Sequence, residues 1–307
     1  MTGSVRRLLI CGAGRVAERY YAPALGHSPQ FRVAAVVDPS PERRAQARKL
    51  FGVRAYGALT EALSEENIEA ALVLTPPRVQ AGVSVTLLAR GIPVLSEKPG
   101  AMSIEEAGRL VAAASSAPIR LGLARRYWRR YQRLREQVAG RRGRWSIEIE
   151  TDPGGWGHVD ADQAHGLEGL VADLLPHAYD IATNTLAGDV EAPESASWDG
   201  AGLTIRFAGE AGGLIRVRHS NRWLERVNWL PDSPSEGDGI NVTSERTALQ
   251  RISDRFASRG RGKEQIDAVK ALLASFAEDI EAHRRNEDMM RCARLIERVR
   301  GLAGLAK

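Results

Sequence analysis

Two cysteines in 307 residues are too few for a disulfide framework or a thiolate metal site. Cys11 falls in the first apolar stretch and Cys292 in the last helical one, and both read as buried small hydrophobes. Long hydrophobic runs are also missing. Every apolar stretch is broken well short of the roughly 18 residues that cross a bilayer, so no membrane partner is expected. Residues 1–14 pass directly into a strand pattern with no small-residue cleavage site, and the expectation is a cytoplasmic protein. The chain has no internal repeat and no low-complexity tract. It also lacks the helical H-x-x-x-H or paired cysteines that fix a metal geometry, and no metal is expected.

An excess of positive charge is present but local. The formal net charge is +5. Residues 125–135 with Arg141, Arg142 and Arg144 hold nine arginines, interleaved with Tyr127, Trp128 and Tyr131. On a helix, Arg126, Arg129, Arg130 and Arg133 form one stripe and Tyr127, Tyr131 and Leu134 a neighbouring apolar one. That is the pattern of a solvated helix packed by its aromatic edge. Nucleic acid would use the same arginines, but it would leave the motifs below without a purpose, so no nucleic-acid partner is expected. Arg125 and Arg126 stand apart because they follow a strand end, where open α/β sheets bind ligands. Both are candidates for holding an anionic substrate, and Arg126 also for the cofactor.

What is there reads as two halves with different periodicities. Over residues 1–124, short β-branched runs at 7–11, 32–38, 54–56, 70–75, 93–97 and 119–124 alternate with helical patterns at 16–25, 41–51, 59–64, 78–90 and 103–114. Pro41 behind Ser40, the capping box Ser103-x-x-Glu106, and Gly52 and Gly91 as stops punctuate them. The alternation predicts an α/β fold, a doubly wound parallel Rossmann sheet. Residues 125–307 predict an α+β substrate-binding and oligomerisation domain with an open, mainly antiparallel sheet. Its helices are expected at 127–138 and 170–186. Strands are expected at 145–150, 203–207, 213–219, 222–229, 239–243 and 246–251, and closing helices at 263–283 and 286–302. An open sheet face makes a homo-oligomer, a dimer or tetramer, the expectation.

Gly12-Ala13-Gly14-Arg15-Val16-Ala17 follows the first strand and opens a helix, the G-x-G-x-x-A form of a dinucleotide fingerprint. The glycines allow the tight turn and the close approach of backbone to pyrophosphate, and the helix N-terminus attracts the phosphate charge. Asp38 ends the second strand, placed for the adenosine ribose hydroxyls. A carboxylate there repels a 2′-phosphate and favours NAD. Arg43 and Arg44, one turn on, keep NADP as the alternative.

Thr75-Pro76-Pro77 closes the fourth strand pattern and Glu97-Lys98-Pro99 the fifth. Gly122-Leu123-Ala124-Arg125-Arg126, Gly140-x-x-Gly143 and Asp173-Leu174-Leu175-Pro176-His177-Ala178-Tyr179-Asp180 follow. With the fingerprint and Asp38, this set resembles the Gfo/Idh/MocA family, which contains glucose-fructose oxidoreductase and inositol dehydrogenase. The resemblance implies an NAD(P)-dependent oxidoreductase of a small sugar, polyol or sugar-like molecule, with Lys98, Asp173 and His177 as the catalytic set. Cofactor contacts are expected from Gly12, Gly14, Arg15, Val16, Asp38, Arg43, Thr75, Pro76, Glu97, Lys98 and Arg126. The chain departs from the family pattern at Ala124, where asparagine is frequent, at Leu175, where glycine is usual, and at Gln80, where histidine is common.

Asp173 and His177 are four apart and are expected on one face of one helix. A histidine takes a hydroxyl proton at neutral pH, a nearby carboxylate fixes its tautomer or binds a substrate hydroxyl, and Lys98 donates to the reacting oxygen. Glu97 is expected to brace the turn or the cofactor ribose. Substrate contacts are expected from Arg125, Arg126, Trp156 and His177, with Trp156 stacking on a sugar-like ring. His158, Asp160, Asp162 and His165 are metal-ligand types, but their loop reads as pocket lining. Two other readings stay open: an NAD-dependent glycoside hydrolase working by transient oxidation, and a nucleotide- or nucleic-acid-binding protein without turnover.

Overall fold

Leu8, Leu9 and Ile10 are all fully buried, and successive residues of a strand are buried only where both faces of its sheet are covered. In this computed structural model, which describes residues 5–115, 117–152, 166–187, 190, 192–209, 212–233, 235, 237–246, 263–284 and 287–304, they lie on β1 (Arg6–Cys11). Its sheet continues with β2 (Phe31–Val37), β3 (Arg54–Tyr56), β4 (Ala70–Val73), β5 (Val94–Ser96) and β6 (Ile119–Leu121). The order is β3-β2-β1-β4-β5-β6 and every pairing is parallel. The order changes direction between β1 and β4, the switch point where such sheets bind ligands beyond their carboxyl ends.

A π-helical turn, Ala17–Tyr21, leads into α1 (Ala22–Leu25); α2 (Pro41–Phe51), α3 (Leu59–Glu65), α4 (Pro77–Leu88) and α5 (Ile104–Ala113) are the crossovers. The end signals act as their chemistry dictates. Ser40 Oγ accepts from Arg43 N at the start of α2, and Gly52 closes it at φ 67°. Ser103 Oγ accepts from Glu106 N, while the Glu106 carboxylate reaches Met102 N, one residue earlier than an ideal capping box. One sheet face packs Leu9, Cys11, Val37, Val73 and Val94 against Leu87, Leu88 and Leu110.

Residues after 124 build α6 (Arg129–Val138), β7 (Gly143–Thr151), α7 (Leu167–Asp173), α8 (Leu175–Ile181) with a π-helical turn Ala182–Ala187, and β8 to β12: Pro193–Trp198, Gly202–Phe207, Gly213–His219, Trp223–Pro231 and Ile240–Arg246. The second sheet runs β12-β11-β7-β10-β9-β8. It is mixed, because β10 runs parallel to β7 while its other pairings are antiparallel. One face buries Trp145, Ile147, Ile149, Ile205, Ile215, Val217, Val227 and Trp229. The opposite face is polar: registered neighbours across it run Thr243, Arg226, Glu148, Arg216, Thr204, Ser197, and Arg226 Nη1 pairs with Glu148 at 2.8 Å. The strand β8 was not among those expected from sequence. Its run, Pro-Glu-Ser-Ala-Ser-Trp, has too few β-branched residues to signal one. Of the strand expected at 246–251, positions 247–251 lie outside the described residues.

Two helices end the chain, α9 (Lys263–Ala282) and α10 (Asp288–Leu302). The chain divides into one unit of residues 1–124 with 262–293 and another of residues 125–261 with 294–307. By this division α9 falls within the first unit, whereas the sequence reading groups all of 125–307 together. Phe276 stacks on Phe31 with centroids 5.8 Å apart, and Asp279 pairs with Arg120 of β6. Among the described residues no helix is long and apolar enough to cross a membrane.

Cys11 is buried, and that burial pushes its thiol from an ordinary 9.0 up to about 12. At pH 8 the folded chain is expected to leave Cys11 unreacted with iodoacetamide, and denaturant to expose it fully. Rapid native labelling, read by mass spectrometry, would contradict this packing. A group held protonated above its unfolded value stabilises the fold fully below about pH 9. That contribution is lost as pH climbs toward 12, so stability is expected to fall across that window.

Candidate functional site

Gly12 is placed by the chain's exit from β1 at the switch point. Its N–H donates to Val37 O at 2.8 Å, its φ is 97°, and a Cβ there would sit 2.8 Å from Leu74 O. Both reasons exclude other residues. Gly14 differs: a Cβ there meets nothing within 4 Å. Its missing side chain therefore answers to no protein neighbour, and leaves bare backbone open to the approach of a pyrophosphate. Arg15 and Val16 follow, partly buried, before the π-helical turn.

Asp38 is 2% exposed. Its Oδ2 accepts from Ala13 N and its Oδ1 from Ser40 N, both at 2.9 Å. The carboxylate thus ties the fingerprint turn to the start of α2, a role that sequence reading did not assign. Each oxygen keeps a second lone pair for a ribose hydroxyl. Arg43 Nη1 lies 4.0 Å from Asp38 Oδ2. Arg44 Nη1 is held by two carbonyls, Asp38 O at 2.9 Å and Pro39 O at 2.7 Å. These residues fit a dinucleotide: a glycine turn with an open face, followed by a fixed acid at the end of β2.

Thr75, Pro76, Glu97 and Lys98 lie just past the ends of β4 and β5. Pro76 is exposed and precedes α4; Glu97 and Lys98 are partly buried. Glu97 Oε1 accepts from Tyr21 OH at 2.8 Å, and Glu97 Oε2 from Lys98 N at 3.3 Å. Burial, then the neighbouring Glu97 carboxylate, holds the Tyr21 phenol well above its usual range, so it stays a donor. Gly122 completes this wall, because a Cβ there would come within 3.1 Å of Glu97 Oε1. The expected bracing by Glu97 is thus directed at Tyr21 and the Lys98 main chain. Tyr21 and Gln80, which bonds to the same turn, carry no motif of their own. Gln80 was legible only as a departure from the family pattern.

In the second unit, Arg125 and Arg126 have partners that change their reading. Arg125 Nε donates to Glu225 at 3.0 Å, and Tyr131 OH donates to the other oxygen of the same buried carboxylate. Burial and that carboxylate push the Tyr131 phenol well above its ordinary range. Arg126 grips Asp180 with Nε (3.3 Å) and Nη2, a two-point pairing, and Asn184 Nδ2 donates to the same carboxylate at 2.6 Å. Glu225 and Asp180 are 1% and 2% exposed. A carboxylate is buried only when a cation or a set of donors compensates it. The two arginines therefore have a structural reason to be where they are. Trp128 lies under Arg130 at 4.3 Å from the ring centroid and stacks on Tyr131.

Asp173 and His177, expected on one uninterrupted helix, lie on two. Asp173 ends α7 and His177 lies in the first turn of α8, with Leu174 between at φ −96°. Pro176 has no N–H with which to continue the helical ladder, which accounts for the break. Backbone bonds from Leu174 N to Leu170 O and from Ala178 N to Leu174 O carry the direction of the chain across it. Both side chains are partly buried. Trp156, His158, Asp160, Asp162 and His165 lie outside the described residues, among which no group of three metal-ligand side chains occurs.

Residues 6–124 match the model of an oxidoreductase family with an NAD-binding Rossmann fold. An inositol 2-dehydrogenase of Leifsonia xyli subsp. xyli is 32% identical over 153 residues, 48% of this chain and 44% of that protein. The match thus spans less than half the length of that relative. The crystal structure of GenD2 from gentamicin A biosynthesis, in complex with NAD, superposes with a TM-score of 0.80 over 99% of this chain and 95% of that one at 17% identity. A myo-inositol dehydrogenase from Corynebacterium glutamicum gives 0.76 over 98% and 97% at 18% identity. At such identities the structures show a common fold.

Proposed function

We propose that this chain, whose residues 6–124 match the Gfo/Idh/MocA oxidoreductase family with its NAD-binding Rossmann fold, is an NAD-dependent dehydrogenase of a secondary alcohol on a polyol or sugar-like molecule. The observation that carries the cofactor half is the Gly12 to Gly14 turn, tied by its own Ala13 N–H to the carboxylate of Asp38. NAD held there supplies the hydride acceptor. The protein's own share is binding, orientation and proton handling. The Lys98 ammonium donates to the oxygen on the reacting carbon and stabilises alkoxide character as it develops. The His177 imidazole takes the hydroxyl proton, and Asp173 fixes its tautomer or binds a neighbouring hydroxyl. The substrate class is supported by inositol 2-dehydrogenases among the relatives.

NAD is preferred to NADP on electrostatic grounds. Asp38 is fixed and negative, Arg44 is engaged by two carbonyls, and Arg43 already faces the Asp38 carboxylate. A 2′-phosphate would meet a like charge at close quarters, which costs several kcal/mol. With a panel of inositols, aminocyclitols, sugars and polyols, reduced-cofactor absorbance is expected to rise with NAD roughly a hundredfold more efficiently than with NADP. Asp38→Ser is expected to narrow that ratio at least tenfold, or about 1.4 kcal/mol. Equal use of both cofactors by the wild-type chain would refute the assignment of Asp38. Product without reduced cofactor would refute net oxidation.

A further inference from the structure

We propose that Gln80 is a positioning residue for Lys98, its buried carboxamide setting where the lysine side chain leaves the backbone. The inference rests on the reading of Lys98 as the donor to the reacting oxygen.

Gln80 lies in the first turn of α4 and is 1% exposed. A carboxamide is costly to bury unless its hydrogens and lone pairs find partners. Here Nε2 donates to Thr75 O at 2.9 Å and to Lys98 O at 3.3 Å, and Oε1 accepts from Gly100 N at 2.9 Å. These bonds join the segment beyond β4 to both sides of Pro99, whose own nitrogen has no hydrogen to offer. From the other direction, Lys98 N donates to Glu97, which Tyr21 holds in turn. Lys98 is thus tethered at its carbonyl by Gln80 and at its N–H by Glu97. Gly100, at φ 74°, packs closely here, since a Cβ there would sit 2.2 Å from Met289 Sδ. A main chain fixed on both sides of a residue fixes the direction of its Cα–Cβ bond. A displacement on the order of 1 Å at a reacting group costs roughly a hundredfold in rate.

The choice of residue follows from donor count. Glutamine offers two donors and an acceptor on a three-bond stem. Methionine matches its length and offers no comparable bond. Glutamate would set a carboxylate against two carbonyl oxygens while keeping the Gly100 contact. Histidine can supply one donor and one acceptor, enough to restore part of the tether.

The test uses Gln80→Met and Gln80→His in the full chain, with two readouts. The first needs no substrate: trace acetylation with acetic anhydride across a pH series, followed for each lysine by mass spectrometry. Gln80→Met is expected to change the Lys98 rate about threefold or more relative to Lys49 and Lys270, and Gln80→His to return it toward wild type. The second readout is turnover. Gln80→Met is expected to lower kcat by roughly ten- to a hundredfold, with NAD affinity held within about twofold. An unchanged Lys98 rate in Gln80→Met overturns the proposal, and so does an equal change at Lys49 and Lys270. A shifted Lys98 rate in a chain with no nicotinamide-dependent turnover upholds the tether and defeats the oxidoreductase reading. Should Gln80→Met fail to fold, Gln80→Glu carries the same expectation and the same refutation.

Discussion

Lys98→Ala is expected to lower kcat by about a thousandfold and His177→Ala by a hundred- to ten-thousandfold, the range spanned by loss of an oxyanion-type donor and of a general base. The fold should survive the first change. The contacts that organise the turn use the main chain of Lys98: its N–H to Glu97 and its carbonyl to Gln80. Truncating the side chain leaves these two main-chain bonds in place, so the turn is expected to keep its path while turnover collapses. Steady-state kinetics on a substrate from the panel, with NAD binding measured separately, decides the matter. Turnover within threefold of wild type in both single variants would sink the mechanism.

Asp279→Ala is expected to destabilise the chain by about 3 to 5 kcal/mol, the cost of leaving a buried charge without its partner. Asp279 is 3% exposed and Arg120 8%. Asp279 Oδ2 accepts from Arg120 Nε at 2.5 Å, and Oδ1 from Arg284 Nε at 2.9 Å. The two arginines differ in what they lose. Arg284 has a half-exposed side chain and is rehydrated at little cost, whereas Arg120 on β6 is shut away from water. The double variant Arg120→Leu/Asp279→Leu removes both charges and is expected within about 2 kcal/mol of wild type, since well-packed apolar replacements of a buried pair are often neutral. Denaturant unfolding of the three chains provides the test. A loss under about 1 kcal/mol for Asp279→Ala would mean that this pair does not hold α9 to β6.

The first sheet was legible because each of its strands and helices announces itself within a dozen residues. Apolar runs, Ser40-Pro41 and Gly52 are local signals, and the local chain obeys them. The fingerprint was legible for the same reason, being a turn whose demands fall on Gly12 and Gly14 themselves. The helix expected at 170–186 shows the limit of such reading: its periodicity is real, but Pro176 removes one ladder donor and splits it between Asp173 and His177. The second sheet was half legible. Its alternating strands could be found, whereas the parallel pairing of β10 with β7 depends on where a strand returns after more than 60 residues, about which the strand itself carries no signal.

Sequence alone settled the strands and crossover helices of the first sheet, where the glycine-rich turn lies, and which residue types stand at the strand ends. These properties are encoded over one or two turns of chain, where steric and hydrogen-bonding demands act between near neighbours. Tertiary structure alone decided that Arg125 and Arg126 answer Glu225 and Asp180, that α9 belongs with the first sheet through Arg120, and that Gln80 tethers Lys98. Each of those is a pairing of charges or donors 18 to 159 positions apart. Burial makes such partners obligatory, and only the folded chain determines which ones meet.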